Sequence, residues 1–540
     1  MTVQVSIRRY LNQAYLLGLL MAAVGLTLSP FLMGMSQFWL VLVWVVDGIT
    51  TKSFKNKLTR FWHNKAAVFL VAFYLMHVIG LLWTSDFQYA FKDLRVKLPI
   101  LVMPFVLSST KPIDQKRFNL VMLVYVLSVF IATQFSFFSY LRHDYENVRE
   151  ISRFISHIRF CLNIVFSMAV VGYYIFKNRA KHSASVFGLK MIVDRFLQWF
   201  LLLWFAYVLF ILESLSGYVI LAVVALVSAI YAFLQWKTSR GWRIAMGALA
   251  VTAIVAFVMF GFFVVKPLVE TESVDFNTLE KKTAEGNYYW HDTIHSPIED
   301  GRYVGLYYCK KELQEAWPIR SNIPLESTTS NGEGIEATLA RYLTSKGLRK
   351  DAQGVMSLTD EDVRNIEQGV ANYNNWKHPG LRARLSSTLF EYNLYRRFDN
   401  PNGGSLSQRI EFTRASFHII TRHPWFGVGT GDVPQTFAQA YDEIHSPLKN
   451  DFRFRAHNQY LAIAVAFGLV GLAFMLFVLF YPLIASKRNH TYLYMVFLCI
   501  MLLSMVPEDT LETQAGAMLF AFFEALLLFA APQKSMDVNQ

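Results

Sequence analysis

The feature that most constrains this chain is a series of apolar runs, each long enough to cross a lipid bilayer. A transmembrane helix needs about 20 mostly apolar residues, and about twelve segments meet that requirement. They lie at residues 11–29, 32–48, 66–83, 95–109, 118–139, 159–176, 196–212, 217–235, 244–265, 458–483, 491–506 and 514–532. Because helices satisfy their own backbone hydrogen bonds in lipid, the sequence predicts an all-α polytopic membrane protein.

Composition and charge support this class and argue against a nucleic-acid-binding protein. Of the 540 residues, 54% are hydrophobic and only 17% are charged, below the roughly 25% of soluble domains. The net charge is +12, and the excess is concentrated in alternate short loops, chiefly residues 49–66 and 177–195. That distribution follows the positive-inside rule. No basic patch with interleaved aromatic residues remains for nucleic acid.

The same charge pattern predicts the orientation and the domains. Both termini are expected in the cytoplasm, so the long polar segment 266–457 lies outside. Apolar periodicity at 335–346, 380–398 and 405–422 predicts helices in that segment, and Thr359 resembles the start of a capping box. We therefore expect transmembrane helices 1–9 in residues 1–265, a mostly helical outer cap in 266–457, and helices 10–12 with a cytoplasmic C-terminus in 458–540.

The sharpest local motif is a glycine-rich turn at residues 422–432. Its glycines are Gly427, Gly429 and Gly431. Glycine permits positive φ and close backbone approach, so a phosphate could bind the turn's amides beside a helix predicted from Val433 to Glu443. A purely structural turn explains the same residues. The nucleotide-binding GxGxxG pattern fails, because Asp432 occupies its third glycine position.

A histidine and several arginines are candidates for chemistry at the outer membrane surface. His457 stands where the tenth apolar run begins, and histidine is suited to general-base catalysis near neutral pH. A hydrogen-bonded bridge between loop and helix is the alternative. Arg153, Arg159, Arg409 and Arg422 belong to segments expected on the same side. Arginine suits bidentate binding of a diphosphate, although an exposed arginine is usually only solvated and Arg159 could snorkel to the interface.

Metal and cofactor sites receive little support. His291 and His295 have helical i, i+4 spacing but no evident third ligand. Glu508, Asp509 and Glu512 lie between the last two apolar runs. They could bind a cation, act as a base, or simply keep that hairpin outside the membrane. The three cysteines form neither a disulfide framework nor a zinc spacing. We predict no metal and no cofactor.

Residues 423–432, followed by His457-Asn458-Gln459-Tyr460-Leu461 and by Phe467-Gly468-Leu469-Val470-Gly471, resemble the signature of the O-antigen ligase and polymerase superfamily. The predicted large outer loop between helices nine and ten is similar to that of O-antigen ligases in particular, which implies a GT-C-like glycosyltransferase architecture. Residues 270–400 and 508–514 also resemble Bacteroidetes members of this group.

The resemblance implies metal-independent glycosyl transfer at the periplasmic face of the bacterial inner membrane. The implied donor is a glycan on a polyprenyl diphosphate such as undecaprenyl diphosphate. The acceptor is lipid A–core for a ligase, which serves lipopolysaccharide biosynthesis. It is a growing glycan for a polysaccharide polymerase and a protein hydroxyl for a protein O-oligosaccharyltransferase. Ligation is the favoured interpretation. A polytopic transporter is the alternative from another class, although such folds usually show repeat symmetry.

The resemblance also implies roles for single residues. By motif match, His457 takes the place of the family's essential loop histidine, and Arg409 that of the arginine before the glycine turn. Arg153 or Arg159 could stand for a second outer-face arginine. Arg422 and the three glycines are predicted to help bind the diphosphate. Many members carry a further arginine between helices seven and eight, where this chain has residues 214–217, Ser-Leu-Ser-Gly.

Overall fold

The structure, a computed structural model, describes residues 2–142, 148–180, 191–235, 255, 259, 261–329, 332–485 and 491–532. The chain divides into two compact units. The first contains Met1–Lys237, Phe412–His445 and Arg453–Gln540, and the second contains Thr238–Glu411 and Ser446–Phe452. This division differs from the predicted domain boundaries, because residues 412–445 and 453–457 belong to the first unit. The predicted domains follow membrane topology, which stays a prediction.

The N-terminal part of the first unit is helical. Its helices are α1 (Thr2–Leu28), α2 (Pro30–Thr50), α3 (Phe54–His63), α4 (Lys65–Ile79), α5 (Phe87–Ser109), α6 (Gln115–Arg142), α7 (His157–Ala180), α8 (Met191–Ile211) and α9 (Leu215–Gln235). Short 3₁₀ turns lie at Gly80–Trp83 and Val148–Ile151. Local chemistry fixes several starts. Asn64 caps α4, and the Asp86 side chain accepts a hydrogen bond from Tyr89 N to cap α5.

The second unit contains short helices and one small antiparallel hairpin. They are α10 (Lys266–Val269), β1 (Ile298–Glu299), β2 (Arg302–Tyr303), α11 (Lys310–Arg320), α12 (Ile335–Lys346), α13 (Ala352–Met356), α14 (Asp360–Glu367), α15 (Tyr373–Lys377), α16 (Leu381–Phe398) and the start of α17 (Ser405–Arg422). A π turn at Gly261–Val265 precedes α10. Trp317 and Tyr342 are fully buried in the apolar core of the second unit, together with Leu339.

The helices predicted for this segment are confirmed. Gly347 at φ 77° ends α12, and Thr359 forms the capping box that opens α14. Helices α16 and α17 coincide with the predicted 380–398 and 405–422. Local signals sufficed here, because capping and apolar spacing act over only a few residues.

The chain then completes the first unit. Its last helices are α18 (Val433–Glu443), α19 (Gln459–Ala485), α20 (Tyr492–Ser504) and α21 (Gln514–Ala525). A 3₁₀ turn at Asn450–Phe452 precedes α19, one at Thr510–Glu512 precedes α21, and a π turn at Leu526–Ala530 follows α21. Helix α18 confirms the predicted start at Val433. We call residues 505–513, between α20 and α21, the acidic hairpin. Helix α19 is interrupted at Gly468, whose φ of 65° and ψ of −168° are not helical.

Within the described residues, seven helices are long and apolar enough to cross a membrane. They are Ile7–Leu28, Pro30–Thr50, Lys65–Trp83, Gln115–Arg142, His157–Ile175, Val193–Ile211 and Gln459–Ala485. Shorter apolar helices lie at Leu215–Tyr231, Tyr492–Ser504 and Gln514–Ala530. The protein is thus mostly helical and of the multi-pass membrane type. The run 95–109 falls in α5, which is not among the seven, and 244–265 lies almost wholly outside the described residues. The predicted count and loop layout therefore stay predictions.

Candidate functional site

His457 lies just before α19 in an uncommon backbone conformation. Its φ is 44°, in the left-handed region that side chains other than glycine rarely adopt. The next residue fixes this geometry. Asn458 Oδ1 accepts a hydrogen bond from Leu461 N at 3.0 Å, and Asn458 Nδ2 donates to Val506 O at 2.8 Å. Backbone strain of this kind, held by surrounding contacts, is concentrated at functional sites.

The imidazole of His457 is held between two aromatic rings. It stacks on Phe412 with ring centroids 5.4 Å apart and an interplanar angle of 30°. The ring of Phe454 is nearly perpendicular to the imidazole, with centroids 6.0 Å apart and an interplanar angle of 83°. The side chain nevertheless remains 34% exposed. The ring is therefore fixed in orientation but accessible, as a base that must meet a substrate requires.

The two ring nitrogens of His457 have different surroundings. Nδ1 lies 3.8 Å from Glu508 Oε2 and 3.9 Å from Asp509 Oδ1. No described residue donates to or accepts from Nε2. Carboxylates facing Nδ1 favour the tautomer with hydrogen there, which leaves the Nε2 lone pair free to accept a proton.

Arg159 approaches the same two carboxylates from the start of α7. Its Nη1 lies 3.3 Å from Glu508 Oε2, and its Nη2 lies 3.5 Å from Asp509 O and 3.8 Å from Asp509 Oδ1. The side chain is buried, and its Nε has no hydrogen-bond partner among the described residues. The structure thus brings together two predicted site residues, His457 and Arg159, through the acidic hairpin.

A second set of buried charges surrounds Glu512. Its Oε2 lies 2.7 Å from Lys97 Nζ and 3.2 Å from Arg455 Nη1, and Gln459 Nε2 donates to Oε1 at 3.1 Å. Burial disfavours the ionised form, but the charges on Lys97 and Arg455 outweigh it, so the pKa of Glu512 lies below its ordinary value. Glu512 is therefore a carboxylate that anchors the hairpin.

Arg455 links Glu512 to the His457 side of the hairpin. Its Nη2 lies 3.3 Å from Asp509 Oδ2, and its Nη1 donates to Tyr89 OH at 2.8 Å. Burial raises the pKa of Asp509 above its ordinary value, although Arg455 opposes that change. Lys97 also binds Asp93 Oδ1 at 2.5 Å. One connected ionic network therefore extends from α5 to His457.

The glycine turn packs against the interruption in α19. Gly427 and Gly429 have φ of 65° and 92°. A Cβ on Gly427 would lie 2.4 Å from Phe467 N, and one on Gly468 would lie 2.3 Å from Trp425 O. Only glycine permits this backbone-to-backbone approach. The turn therefore has a structural function.

The amides of this turn are already engaged. Gly427 N donates to His423 O at 3.2 Å, Val428 N to Val465 O at 3.0 Å, Gly429 N to Ala466 O at 2.9 Å and Gly431 N to Thr84 Oγ1 at 3.1 Å. Since these donors are not directed at an open site, the geometry gives no support to diphosphate binding by Gly427, Gly429 and Gly431. That role stays a prediction.

Asp432 ties the glycine turn to α5. Its Oδ1 accepts hydrogen bonds from Ser85 N at 2.9 Å and Asp86 N at 2.8 Å. Asp86 in turn caps α5, which carries Lys97. The turn thus helps to position the helix that supplies a cation to Glu512.

The other predicted arginines have different surroundings. Arg422 is 54% exposed and pairs with Glu443, which also binds His418 Nε2 at 2.7 Å. Arg153 is exposed and makes no ion pair within the part of the chain that the structure describes. Arg409 is half-buried on α17 and belongs to the second unit.

The histidine pair considered for a metal does not form a shared site. Residues 291–295 are not helical, His291 bonds to Tyr307 N and Glu280 O, and His295 lies beside Asp292. In the described ranges, a set of possible ligands is formed instead by His457, Glu508 and Asp509, whose donor atoms lie within 4.8 Å of one another. Arg159 contacts the same carboxylates. The predicted absence of a metal stays a prediction.

Sequence reasoning did not assign Tyr89, Asp93 and Arg455 to the site, whereas Lys97 was expected among the cations at the outer surface. One signal was present, since an Asp and a Lys at i, i+4 beside an apolar run need a partner or a function. The acidic hairpin was noticed, but its alternatives could not be separated. Pairs such as Lys97 with Glu512 join distant parts of the chain, which periodicity does not reveal.

Comparison with known proteins gives a family match for part of the chain. Residues 374–476 match the family model described as O-Antigen ligase. This range contains Arg409, the glycine turn and His457. A comparison with curated proteins finds no match. The resemblance of this part of the chain to the O-antigen ligase superfamily is thereby confirmed.

Proposed function

We propose that this member of the O-antigen ligase superfamily is a bacterial inner-membrane glycosyltransferase that joins O-antigen to lipid A–core. The donor is a glycan linked to a polyprenyl diphosphate, and the reaction takes place at the periplasmic face. The observation that carries the proposal is the oriented imidazole of His457, inside the segment that matches the family. Its Nδ1 faces two carboxylates, and its Nε2 makes no hydrogen bond to a described residue.

The proposed reaction is a direct displacement. His457 Nε2 accepts the proton of the acceptor hydroxyl as its oxygen bonds to the anomeric carbon of the donor sugar. The bond from that carbon to the diphosphate oxygen breaks, and the polyprenyl diphosphate leaves with that electron pair. The proton on His457 is then released to water. General-base catalysis of this kind contributes typically 10²–10⁴-fold to a rate.

Arginines are proposed to stabilise the charge that develops on the leaving diphosphate. The candidates are Arg153, Arg409 and Arg422, with Arg409 favoured by its motif match. Fixed cations directed at developing charge are usually the largest catalytic term. We propose that no metal is needed, because Arg159 and Arg455 already pair with the carboxylates that a cation would use. Transfer by purified protein should therefore continue in excess chelator.

Polymerase and protein O-oligosaccharyltransferase activities remain alternatives with the same chemistry. They differ in the acceptor alone, so the deletion phenotype separates them. A ligase mutant should lose the whole O-antigen ladder and accumulate long chains on the carrier. Core bearing a single repeat would indicate a polymerase, and an intact ladder with unglycosylated proteins would indicate a protein glycosyltransferase.

The test is complementation of the deletion strain with wild type, His457→Ala or His457→Asn. Asparagine tolerates positive φ better than most residues, so the second variant removes the base with less backbone strain. We expect both to insert normally and to give no ladder. His445→Asn is a matched control, because His445 is exposed with φ 49°.

A ladder in a well-expressed His457→Asn strain would remove His457 from the mechanism. If the deletion changes neither lipopolysaccharide nor glycoproteins, the transporter alternative replaces the enzyme. The His445→Asn strain should match wild type. Loss of the ladder there would mean that histidine replacement at positive φ disrupts the fold.

A further inference from the structure

We infer that the acidic hairpin orients the imidazole of the catalytic base, His457, and increases its basicity through the carboxylates of Glu508 and Asp509. Arg159, which contacts both carboxylates, limits this effect. This inference rests on the proposed function of His457. It assigns to Arg159 a positioning role rather than direct contact with the donor diphosphate.

The first argument is the placement of the carboxylates. Glu508 and Asp509 side chains are 7% and 5% exposed, and both lie on the Nδ1 side of His457. Charges shielded from water interact strongly. When Nε2 accepts a proton, the resulting imidazolium lies beside two buried anions. The hairpin therefore stabilises the protonated base in the transition state more than the neutral base in the ground state.

The second argument is the charge balance of the network. The described ion pairs contain four acidic side chains, on Asp93, Glu508, Asp509 and Glu512, and three basic ones, on Lys97, Arg159 and Arg455. The difference in formal charge, 3 − 4, leaves these groups one positive charge short. His457 faces two of these carboxylates, and its protonation brings the formal charge of the network to zero.

The third argument is the geometry of Arg159. Both of its terminal nitrogens point to Glu508 or Asp509, and its Nε is buried without a partner in the described structure. A guanidinium that binds a diphosphate would present two donors to an open site. Arg159 instead opposes the two carboxylates, because its positive charge weakens the negative electrostatic potential at His457.

Opposite effects on the pH–rate profile test this assignment. The groups facing His457 are Glu508 and Asp509 on the hairpin and Arg159 on α7, with uncharged Phe412 and Phe454 against the ring. Transfer by purified protein is measured from about pH 5 to 9, a range that includes the titration of histidine. Glu508→Gln with Asp509→Asn should lower kcat about 10²-fold and move the acid limb to lower pH. Arg159→Gln should move the acid limb to higher pH.

The controls separate this inference from the proposed function. Asp442→Asn removes an exposed carboxylate that binds Arg453, and its profile should match wild type. If His457→Asn is inactive but the acid limb of the hairpin variants lies at the wild-type pH, the hairpin does not affect the basicity of His457. If Arg159→Gln raises the KM for the donor and leaves the acid limb of the pH–rate profile at the wild-type pH, Arg159 is a ligand of the diphosphate. Activity in His457→Asn would refute the proposed function itself.

A conservative variant covers the case in which Arg159→Gln fails to accumulate. Arg159→Lys keeps the charge but cannot contact both carboxylates, because an ammonium is a single point of contact. We expect a smaller shift of the acid limb in the same direction. A shift to lower pH would overturn the assignment.

Discussion

Glu512 shows how single residues hold this site together. Its carboxylate is buried between Lys97 and Arg455, and its other oxygen accepts from Gln459. Removing one partner of a buried ion pair leaves the remaining charge uncompensated, which costs about 3–5 kcal/mol. The stability of the site therefore depends on a residue that does not contact His457.

We expect Glu512→Ala to lower the thermal unfolding temperature of the purified protein strongly. Lys97→Met alone should also destabilise, because Glu512 then keeps only Arg455 and Gln459. The double variant should lose less than the sum of the two, with a coupling of about 1–3 kcal/mol. Glu270→Ala is the control, since its pair with Lys266 is exposed. Additive losses at Glu512 and Lys97 would contradict the network.

Two site residues were visible in the sequence, and their partners were not. His457 and Arg159 could be predicted because titratable groups at the ends of apolar runs are unusual. The pairing of His457 with Glu508 was hidden, because no local rule joins a helix start to a distant hairpin. The glycines were ambiguous for a different reason, because glycine indicates close approach without showing whether the neighbour is a ligand or another backbone.

Helix α19 illustrates how an irregular element can be specified by one position. Its apolar run 458–483 predicts one continuous helix, yet Gly468 at φ 65° interrupts it. The amides of Val428 and Gly429 donate to Val465 and Ala466 at that point. The sequence indicated the helix but not the interruption, because a glycine within an apolar run is also compatible with an unbroken helix.

We expect Gly468→Ala to destabilise the protein and reduce transfer together. Its Cβ would lie 2.3 Å from Trp425 O, and its positive φ would be strained. Gly172→Ala on α7 is the matched control, since no atom lies within 4 Å of its added Cβ. Alanine also has better helix propensity by about 1 kcal/mol, so the control should be neutral or stabilising. Thermal unfolding in detergent and the O-antigen ladder measure both. Equal effects of the two variants would mean that the interruption is not needed.

The predicted orientation of the protein in the membrane rests on its charges rather than on its contacts. Seven helices among the described residues are long and apolar enough to cross a membrane, and three apolar helices are shorter. Helix α5 was predicted in part, but Asp93 and Lys97 make it more polar than an ordinary span. Local periodicity does not mark such a segment as a span, because one partner of Lys97, Glu512, lies 415 positions further along the chain.

We expect a reporter fused near Gly380 to lie outside the cytoplasm. Alkaline phosphatase at this position should be active, and green fluorescent protein should be dark. A matched pair of fusions in the basic loop at residues 49–66 should show the reverse, as the positive-inside rule requires. An active phosphatase at both positions would contradict the predicted topology.

The long-range ion pairs can form only late in biosynthesis, after the acidic hairpin has been made. A ribosome makes Lys97 and Arg159 long before their partners, since Glu512 follows Lys97 by 415 positions and Glu508 follows Arg159 by 349. Asp93, one helical turn before Lys97, is the carboxylate already present when α5 leaves the ribosome. Arg159 has no such early neighbour in this network. A nascent chain that stops before the acidic hairpin therefore lacks the carboxylates that pair with Arg159 in the finished protein.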